Sequence, residues 1–227
     1  MQQRRIHLSP SILSADYGAL RNEALTAVEA GGASIHIDIM DGHYVHNFSF
    51  GLDLIPALKP HLSVPIVAHL EIARPDDFIA ETAAAGADVI VVQEDTCPNL
   101  PFTIEAIHRS GARAGVGVNP DRTFRRIEAH PHLLQMIDVL IVMGVYPGFG
   151  GQVFAATTET NLQAAVALRD EHEADFDIGV DGGVSETTIP AIIRAGGNYL
   201  IAGSSAFAGD IRTNIAALQR AADAAAL

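Results

Sequence analysis

The chain alternates short runs rich in valine and isoleucine with longer, alanine-rich segments whose apolar residues recur at a helical spacing. The short runs predict eight strands, near His7–Ser11, Ser34–Met40, Pro65–His69, Val89–Val92, Arg113–Val118, Val139–Met143, Asp177–Val180 and Tyr199–Ala202. The longer segments predict the intervening helices, near Tyr17–Ala30, Leu52–His61, Pro75–Ala85, Leu100–Ser110, Arg122–Ala129, Thr157–Glu173, Ser185–Ala195 and Ile211–Ala225. Eight strand–helix units in 227 residues predict an α/β fold, a (β/α)8 TIM barrel, with a single domain over residues 1–227.

Glycines follow four of the predicted helices, at Gly31, Gly86, Gly111 and Gly196. A glycine at this position suits the left-handed backbone that ends many helices. The alternative is an open, doubly wound sheet, which usually has fewer strands and a glycine-rich turn after the first strand. No glycine occurs in residues 11–14, directly after the first strand, so the barrel is favoured.

Residues 35–40 predict a strand with two unlike faces. Isoleucines at positions 35, 37 and 39 alternate with His36, Asp38 and Met40. A strand of a parallel sheet is normally apolar on both faces, and a buried carboxylate is costly unless it is paired or binds a cation. The polar face of this strand is therefore a candidate site.

Further polar residues stand at the ends of other predicted strands, where a barrel has its active site. The four that combine imidazole and carboxylate groups are His36, Asp38, His69 and Asp181. This donor set suits one divalent metal cation such as zinc, iron, manganese or cobalt. The alternative is a set of buried polar residues that satisfy one another by hydrogen bonding.

Glycine-rich segments follow the sixth, seventh and eighth predicted strands, at residues 148–151, 182–183 and 203–204. Barrels often bind phosphate at the loops after strands seven and eight, where backbone N–H groups approach the phosphate oxygens closely. The alternative is that these glycines only permit tight turns. Met40 and Met143 also end strands, and they are either core residues or an apolar cover over a reacting carbon.

The charge and composition narrow the choice of partners. The net charge of −13 argues against nucleic acid and against an anionic membrane surface. The one lysine, Lys59, ends a predicted helix and is badly placed for Schiff-base chemistry, and the one cysteine, Cys97, excludes a disulfide within the chain. Neither a signal-peptide pattern nor a long apolar span occurs, so we expect a cytoplasmic protein, and a homo-oligomer stays open.

These motifs resemble those of the ribulose-phosphate 3-epimerase family over the whole chain. The matching stretches are residues 9–16 (Ser-Pro-Ser-Ile-Leu-Ser-Ala-Asp), 35–47 with His-x-Asp-x-Met-Asp-Gly-His, 68–70, 145–152 with Pro-Gly-Phe-Gly-Gly-Gln, 180–184 and 202–204. The resemblance implies a barrel with one divalent metal held by His36, Asp38, His69 and Asp181. It also implies that Asp38 and Asp181 are the catalytic acid/base pair.

The resemblance further implies a sugar phosphate as the small-molecule substrate. The residues that would surround it are Ser11, His69, Gly148, Phe149, Gly150, Gly151, Asp181, Gly182, Gly183, Gly203 and Ser204. Met40, Glu71 and Met143 are candidate modifiers of the same site. The implied reaction inverts C3 of a 2-ketose phosphate, such as D-ribulose 5-phosphate to D-xylulose 5-phosphate in the pentose phosphate pathway, through an enediolate.

Five positions depart from the family pattern. Glu71 stands where the family usually has methionine, Gln93 where it has histidine, and His46 where it has proline. Gly144 and Tyr146 replace the usual Ser or Thr and the usual Asn, Asp or Glu. Glu71 is the most consequential, because a carboxyl group there would change a neighbouring pKa, add a metal ligand or contact a different sugar.

Three alternatives to this activity follow from the same residues. The first is a 3-epimerase of another ketose phosphate, such as a hexulose or tetrulose phosphate. The second is a decarboxylase or aldolase barrel with an Asp-x-Lys-x-x-Asp motif, which is disfavoured because Met40 occupies the lysine position. The third is a catalytically inactive barrel that binds a sugar phosphate.

Overall fold

The eight predicted strands form one parallel sheet in the computed structural model, which describes residues 4–226. The strands are β1 (His7–Pro10), β2 (Ile35–Met40), β3 (Ile66–Glu71), β4 (Val89–Gln93), β5 (Arg113–Val118), β6 (Val139–Met143), β7 (Asp177–Asp181) and β8 (Tyr199–Ala202). β1 pairs with β8, and every other pair joins strands that are neighbours in the sequence. A parallel bridge between Ser11 and His36 connects the two remaining edges, so the sheet curls into the predicted barrel.

Helices connect successive strands on the outside of the barrel. They are α1 (Leu20–Glu29), α2 (Leu54–Leu58), α3 (Ile79–Ala85), α4 (Leu100–Arg109), α5 (Arg125–Glu128), α6 (Thr158–Glu171), α7 (Ile189–Arg194), α8 (Ser204–Phe207) and α9 (Ile211–Ala225). Short 3-10 helices occur at Ile12–Ser14, Lys59–His61, Pro75–Asp77, Glu94–Thr96 and Pro131–Gln135. The four glycines that were predicted to end helices all have a positive φ, between 89° and 119°.

The helices differ from the prediction mainly in their extent. The segment predicted as one helix near Leu52–His61 divides into α2 and the 3-10 helix that contains Pro60, because proline lacks the N–H that an α-helix needs. The segment near Pro75–Ala85 likewise begins as a 3-10 helix before α3. The short helix α8 was not predicted, and it begins directly after β8.

Two apolar layers hold the barrel together. The isoleucines of β2 belong to the layer between the sheet and the helices. A smaller cluster fills the barrel interior with side chains such as Val67, Val91, Ile141 and Ile201. Since side chains alternate along a strand, His36, Asp38 and Met40 face the interior, as the alternation along β2 predicts.

Candidate active site

Three strands bring the four predicted metal ligands to one place inside the barrel. His36 and Asp38 lie on β2, His69 on β3 and Asp181 at the end of β7. The register of the sheet sets Asp38 beside His69. All four residues are buried, with exposed fractions between 0% and 9%, so their charges are shielded from solvent.

The four side chains converge on a common centre. One ligand atom from each lies within 4.8 Å of the other three. His36 Nε2 lies 3.2 Å from His69 Nδ1, 3.3 Å from Asp38 Oδ1 and 3.4 Å from Asp181 Oδ2. His69 Nδ1 lies 3.4 Å from Asp38 Oδ1 and 3.2 Å from Asp181 Oδ2.

This spacing fits a metal cation better than it fits hydrogen bonds. One imidazole nitrogen directs a single lone pair or a single N–H bond, yet His36 Nε2 faces three polar atoms at nearly equal distances. A tetrahedral cation with ligands at about 2.0–2.1 Å separates those ligands by about 3.3–3.4 Å, close to the 3.2–3.4 Å between each imidazole and its neighbours in the cluster. The buried His/Asp cluster could therefore bind a metal ion.

The electrostatics of the cluster also favour a cation. Burial alone lowers the pKa of each imidazole, but Asp38 and Asp181 outweigh it and raise the pKa of His36 to about 9 and that of His69 to about 10. Burial raises the pKa of the two aspartates, yet the imidazoles bring it below the usual value for both carboxyl groups. Positive charge at the centre, whether protons or a metal ion, stabilises the two carboxylates.

The two aspartates differ in their remaining contacts. Ser11 donates a hydrogen bond of 2.5 Å from its hydroxyl to Asp38 Oδ2, so both oxygens of Asp38 are engaged. Asp181 uses Oδ2 toward the imidazoles, and its Oδ1 accepts no hydrogen bond from the described residues. Asp181 therefore keeps one oxygen available to a molecule bound beside it.

A cleft opens directly above the cluster. The residues that line it are Ser11, Leu13, Ser14, Asp38, Met40, Glu71, Met143, Val145, Tyr146, Pro147, Gly148, Phe149, Gly150, Asp181 and Gly203. Asn47 donates a hydrogen bond of 2.7 Å to the carbonyl of Gly148 and so links the loop after β2 to the loop after β6 across the mouth.

Six of the residues predicted to bind substrate line this cleft: Ser11, Gly148, Phe149, Gly150, Asp181 and Gly203. Gly151, Gly182, Gly183, Ser204 and the buried His69 are not among the lining residues. Gly182 and Gly183 have φ values of 90° and 69°, which favour glycine, and added side chains would collide with Val145 and Phe154. Their small size lets the loops pack closely around the cleft.

The loops after β7 and β8 present unused hydrogen-bond donors. Within residues 4–226, the backbone N–H groups of Gly182, Gly183, Gly203 and Ser204 donate no hydrogen bond. Free N–H groups in glycine-rich turns form a binding site for anions. The loops after β7 and β8 thus supply backbone hydrogen-bond donors that could bind a phosphate, although the net charge of the protein is −13.

The family assignment follows from comparison with known proteins. Residues 7–207 match the model of the ribulose-phosphate 3 epimerase family. The chain belongs to the ribulose-phosphate 3-epimerase family. It is 43% identical to the ribulose-phosphate 3-epimerase of Bacillus subtilis (strain 168), over 89% of this chain and 92% of that protein. It is 38% identical to that of Rhodobacter capsulatus, over 98% of both chains.

Solved structures confirm the barrel. KGPDC from Streptococcus mutans superimposes with a TM-score of 0.73, at 16% identity and over 97% of this chain and 99% of that one. A 3-hexulose-6-phosphate synthase gives a TM-score of 0.67 at 19% identity, over 95% of this chain and 99% of that chain. At this identity the likeness shows a shared fold alone. No helix in residues 4–226 is both long and apolar enough to cross a lipid bilayer.

Two departures from the family pattern lie at the cluster itself. Gln93 is buried at the end of β4, and its Nε2 lies 3.0 Å from His69 Nε2, on the side of the ring away from the centre. Glu71 lines the cleft and is 2% exposed, and burial, together with the nearby aspartates, raises its pKa to about 8 although His69 lowers it. Sequence reasoning identified both positions as unusual but missed the contact between Gln93 and His69.

Proposed function

We propose that the protein is a metal-dependent 3-epimerase that interconverts D-ribulose 5-phosphate and D-xylulose 5-phosphate. The observation that carries this proposal is the pair of carboxylates, Asp38 from β2 and Asp181 from β7, that line one cleft beside two imidazoles. Curated relatives named ribulose-phosphate 3-epimerase support the choice of reaction. The pairing suits an inversion because one proton must leave and another must arrive on the opposite face.

The cluster of His36, Asp38, His69 and Asp181 would hold one divalent cation, with zinc, iron, manganese and cobalt as the candidates. When bound, the cation supplies Lewis-acid stabilisation for the negative charge that develops on the C2 oxygen of the substrate. The two carboxylates and two buried imidazoles support a cation of this kind, because they match its charge and its preference for mixed nitrogen and oxygen ligands.

The chain's own residues perform the proton transfers. One aspartate accepts the C3 proton, which is acidic because it lies next to the ketone, and leaves an enediolate. The other aspartate must carry a proton once substrate is bound, although the imidazoles lower its pKa in the protein alone, and it returns that proton to the opposite face of C3 and inverts the centre. Each aspartate then holds the protonation state that the other had, so the reverse reaction uses the same pair with exchanged roles.

The remaining contacts orient the substrate. The free N–H groups at Gly182, Gly183, Gly203 and Ser204 support binding of the phosphate group at the ends of β7 and β8. Met40 and Met143 would offer an apolar surface beside the reacting carbon, and the loop over residues 145–150 lines the same cleft. Ser11 would hold Asp38 in position through its hydroxyl hydrogen bond.

Hydrogen exchange in D₂O tests the proposed reaction. Purified, metal-loaded protein incubated with D-ribulose 5-phosphate is expected to form D-xylulose 5-phosphate and to incorporate deuterium at C3, both of which NMR detects. A chelator that removes the bound cation is expected to abolish both signals, and restoring the metal should recover them. Exchange in the absence of any bound metal would refute the metal-dependent mechanism.

A second substrate class is supported by one residue of the cleft. Glu71 brings a carboxyl group to a position where the family usually has methionine, so a different ketose phosphate would meet a polar contact there. The same exchange assay with hexulose and tetrulose phosphates distinguishes a pentulose phosphate substrate from another ketose phosphate. If kcat/KM is larger for a hexulose or tetrulose phosphate than for D-ribulose 5-phosphate, that sugar phosphate and not the pentose is the substrate.

A further inference from the structure

Glu71 is a buried carboxyl group whose partner is missing. It ends β3, lines the cleft and is 2% exposed. Its Oε2 atom is buried and makes no hydrogen bond with the described residues. Because a buried polar atom without a partner is costly, such an atom requires an explanation.

The metal cluster does not supply the explanation. The four side chains whose ligand atoms gather within 4.8 Å are complete without Glu71. Its neighbour in the register is Met40, and no described side chain donates a hydrogen bond to its buried Oε2 atom. The partner of Glu71 is therefore a group that enters the cleft.

The topology shows which end of a ligand Glu71 faces. In the barrel order, four steps in either direction separate β3 from β7, so these two strands lie on opposite sides. The free N–H groups suited to a phosphate follow β7 and β8. Glu71 thus lies across the cleft from the phosphate, facing the other end of the sugar.

We propose that Glu71 is a specificity-determining residue that hydrogen-bonds the C1 hydroxyl group of the ketose phosphate. This inference rests on the proposed function, since it takes the substrate to be a 2-ketose with its phosphate at the far end. In a 2-ketose, C1 carries the hydroxymethyl group next to the reacting ketone, and a carboxyl oxygen accepts a hydrogen bond from its hydroxyl. Binding this group gives the buried Oε2 atom its partner and selects sugars that carry a C1 hydroxyl.

The test compares D-xylulose 5-phosphate with 1-deoxy-D-xylulose 5-phosphate, which lacks only the C1 hydroxyl. For the wild type, we expect the deoxy compound to reduce kcat/KM for C3 deuterium exchange by about 10- to 100-fold, as loss of one buried hydrogen bond predicts. Glu71→Leu should lower kcat/KM for xylulose 5-phosphate by a similar factor. The same variant should leave kcat/KM for the deoxy compound unchanged, so that it no longer distinguishes the two substrates.

Two further variants control for indirect effects. Glu71→Gln keeps an amide oxygen that accepts a hydrogen bond and should retain most of the discrimination. Glu94→Gln makes the same change at another buried carboxyl group, which pairs with Arg126 at 2.7 Å and does not line the cleft, so its discrimination should equal that of the wild type. Metal content by mass spectrometry should be equal in all four proteins.

Three results would overturn the assignment of Glu71. They are equal kcat/KM of the wild type on both sugars, full discrimination retained by Glu71→Leu, and loss of bound metal in that variant, which would make Glu71 a ligand. Calorimetric titration with both sugar phosphates makes the same comparison from binding constants, which do not depend on measuring turnover. If the wild type exchanges no C3 hydrogen, the epimerase proposal fails, while the ratio of the two binding constants still tests the contact.

Discussion

The partly buried histidine His7 is expected to make the free energy of unfolding depend on pH in the acid range. It begins β1 at the end of the barrel away from the active site, where its ring stacks on Tyr199 at 4.3 Å and its Nε2 lies 3.0 Å from Ser34 Oγ. Burial lowers the pKa of His7 to about 4, and although Asp177 raises it, the nearby cation of Arg113 lowers it further. The ring is therefore neutral in the folded protein at neutral pH.

The size of the effect follows from the two pKa values. In the unfolded chain the pKa of His7 is 6.5, and in the folded protein it is about 4. Since the folded-state pKa is depressed, the contribution of neutral His7 to stability is complete above pH 6.5 and is lost as the pH falls from 6.5 toward 4. At about 1.36 kcal/mol per pKa unit, the loss is about 2 kcal/mol at pH 5 and about 3 kcal/mol at pH 4.

His7→Phe isolates this effect. Phenylalanine keeps an aromatic ring against Tyr199 but has no proton to gain, and the lost contact with Ser34 costs the same free energy at every pH. Urea unfolding of both proteins, with chelator present, is measured at pH 7.5 and pH 5. The wild type should lose about 2 kcal/mol more than the variant over this interval. A difference between the two proteins that is constant with pH would refute this reasoning.

Substitutions at three other residues test the site. Asp38→Asn and Asp181→Asn should each fold normally but lose at least about 100-fold in kcat, because each removes one of the two proposed proton-transfer groups. Near wild-type turnover in either variant would exclude the two-carboxylate mechanism. Gln93→Leu should lower metal affinity or activity by about 10- to 100-fold, measured by competition with a chelating dye and by the exchange assay, because His69 loses the partner of its outer nitrogen. Gln93→His, which restores the residue usual in the family, should recover both, and unchanged values in the leucine variant would contradict this role.

The sequence alone determined the class of fold and the chemistry of the centre. The alternation in β2, the strand-forming runs and the glycines after the helices are local signals, because each depends on the period of a single strand or helix. The rule that parallel strands of a barrel end at one face then predicted that His36, Asp38, His69 and Asp181 lie together.

Only the tertiary structure decided the contacts. The separations of 3.2–3.4 Å between His36 and its three neighbours depend on the strand register, which arises from pairing between distant segments. The unpartnered Glu71 Oε2 and the contact of Gln93 with His69 have the same origin. The four-residue helix α8 escaped prediction because a segment so short has no periodic pattern. Local periodicity depends only on residues that are neighbours in the sequence. The convergence of side chains depends on strands that meet only when the barrel closes.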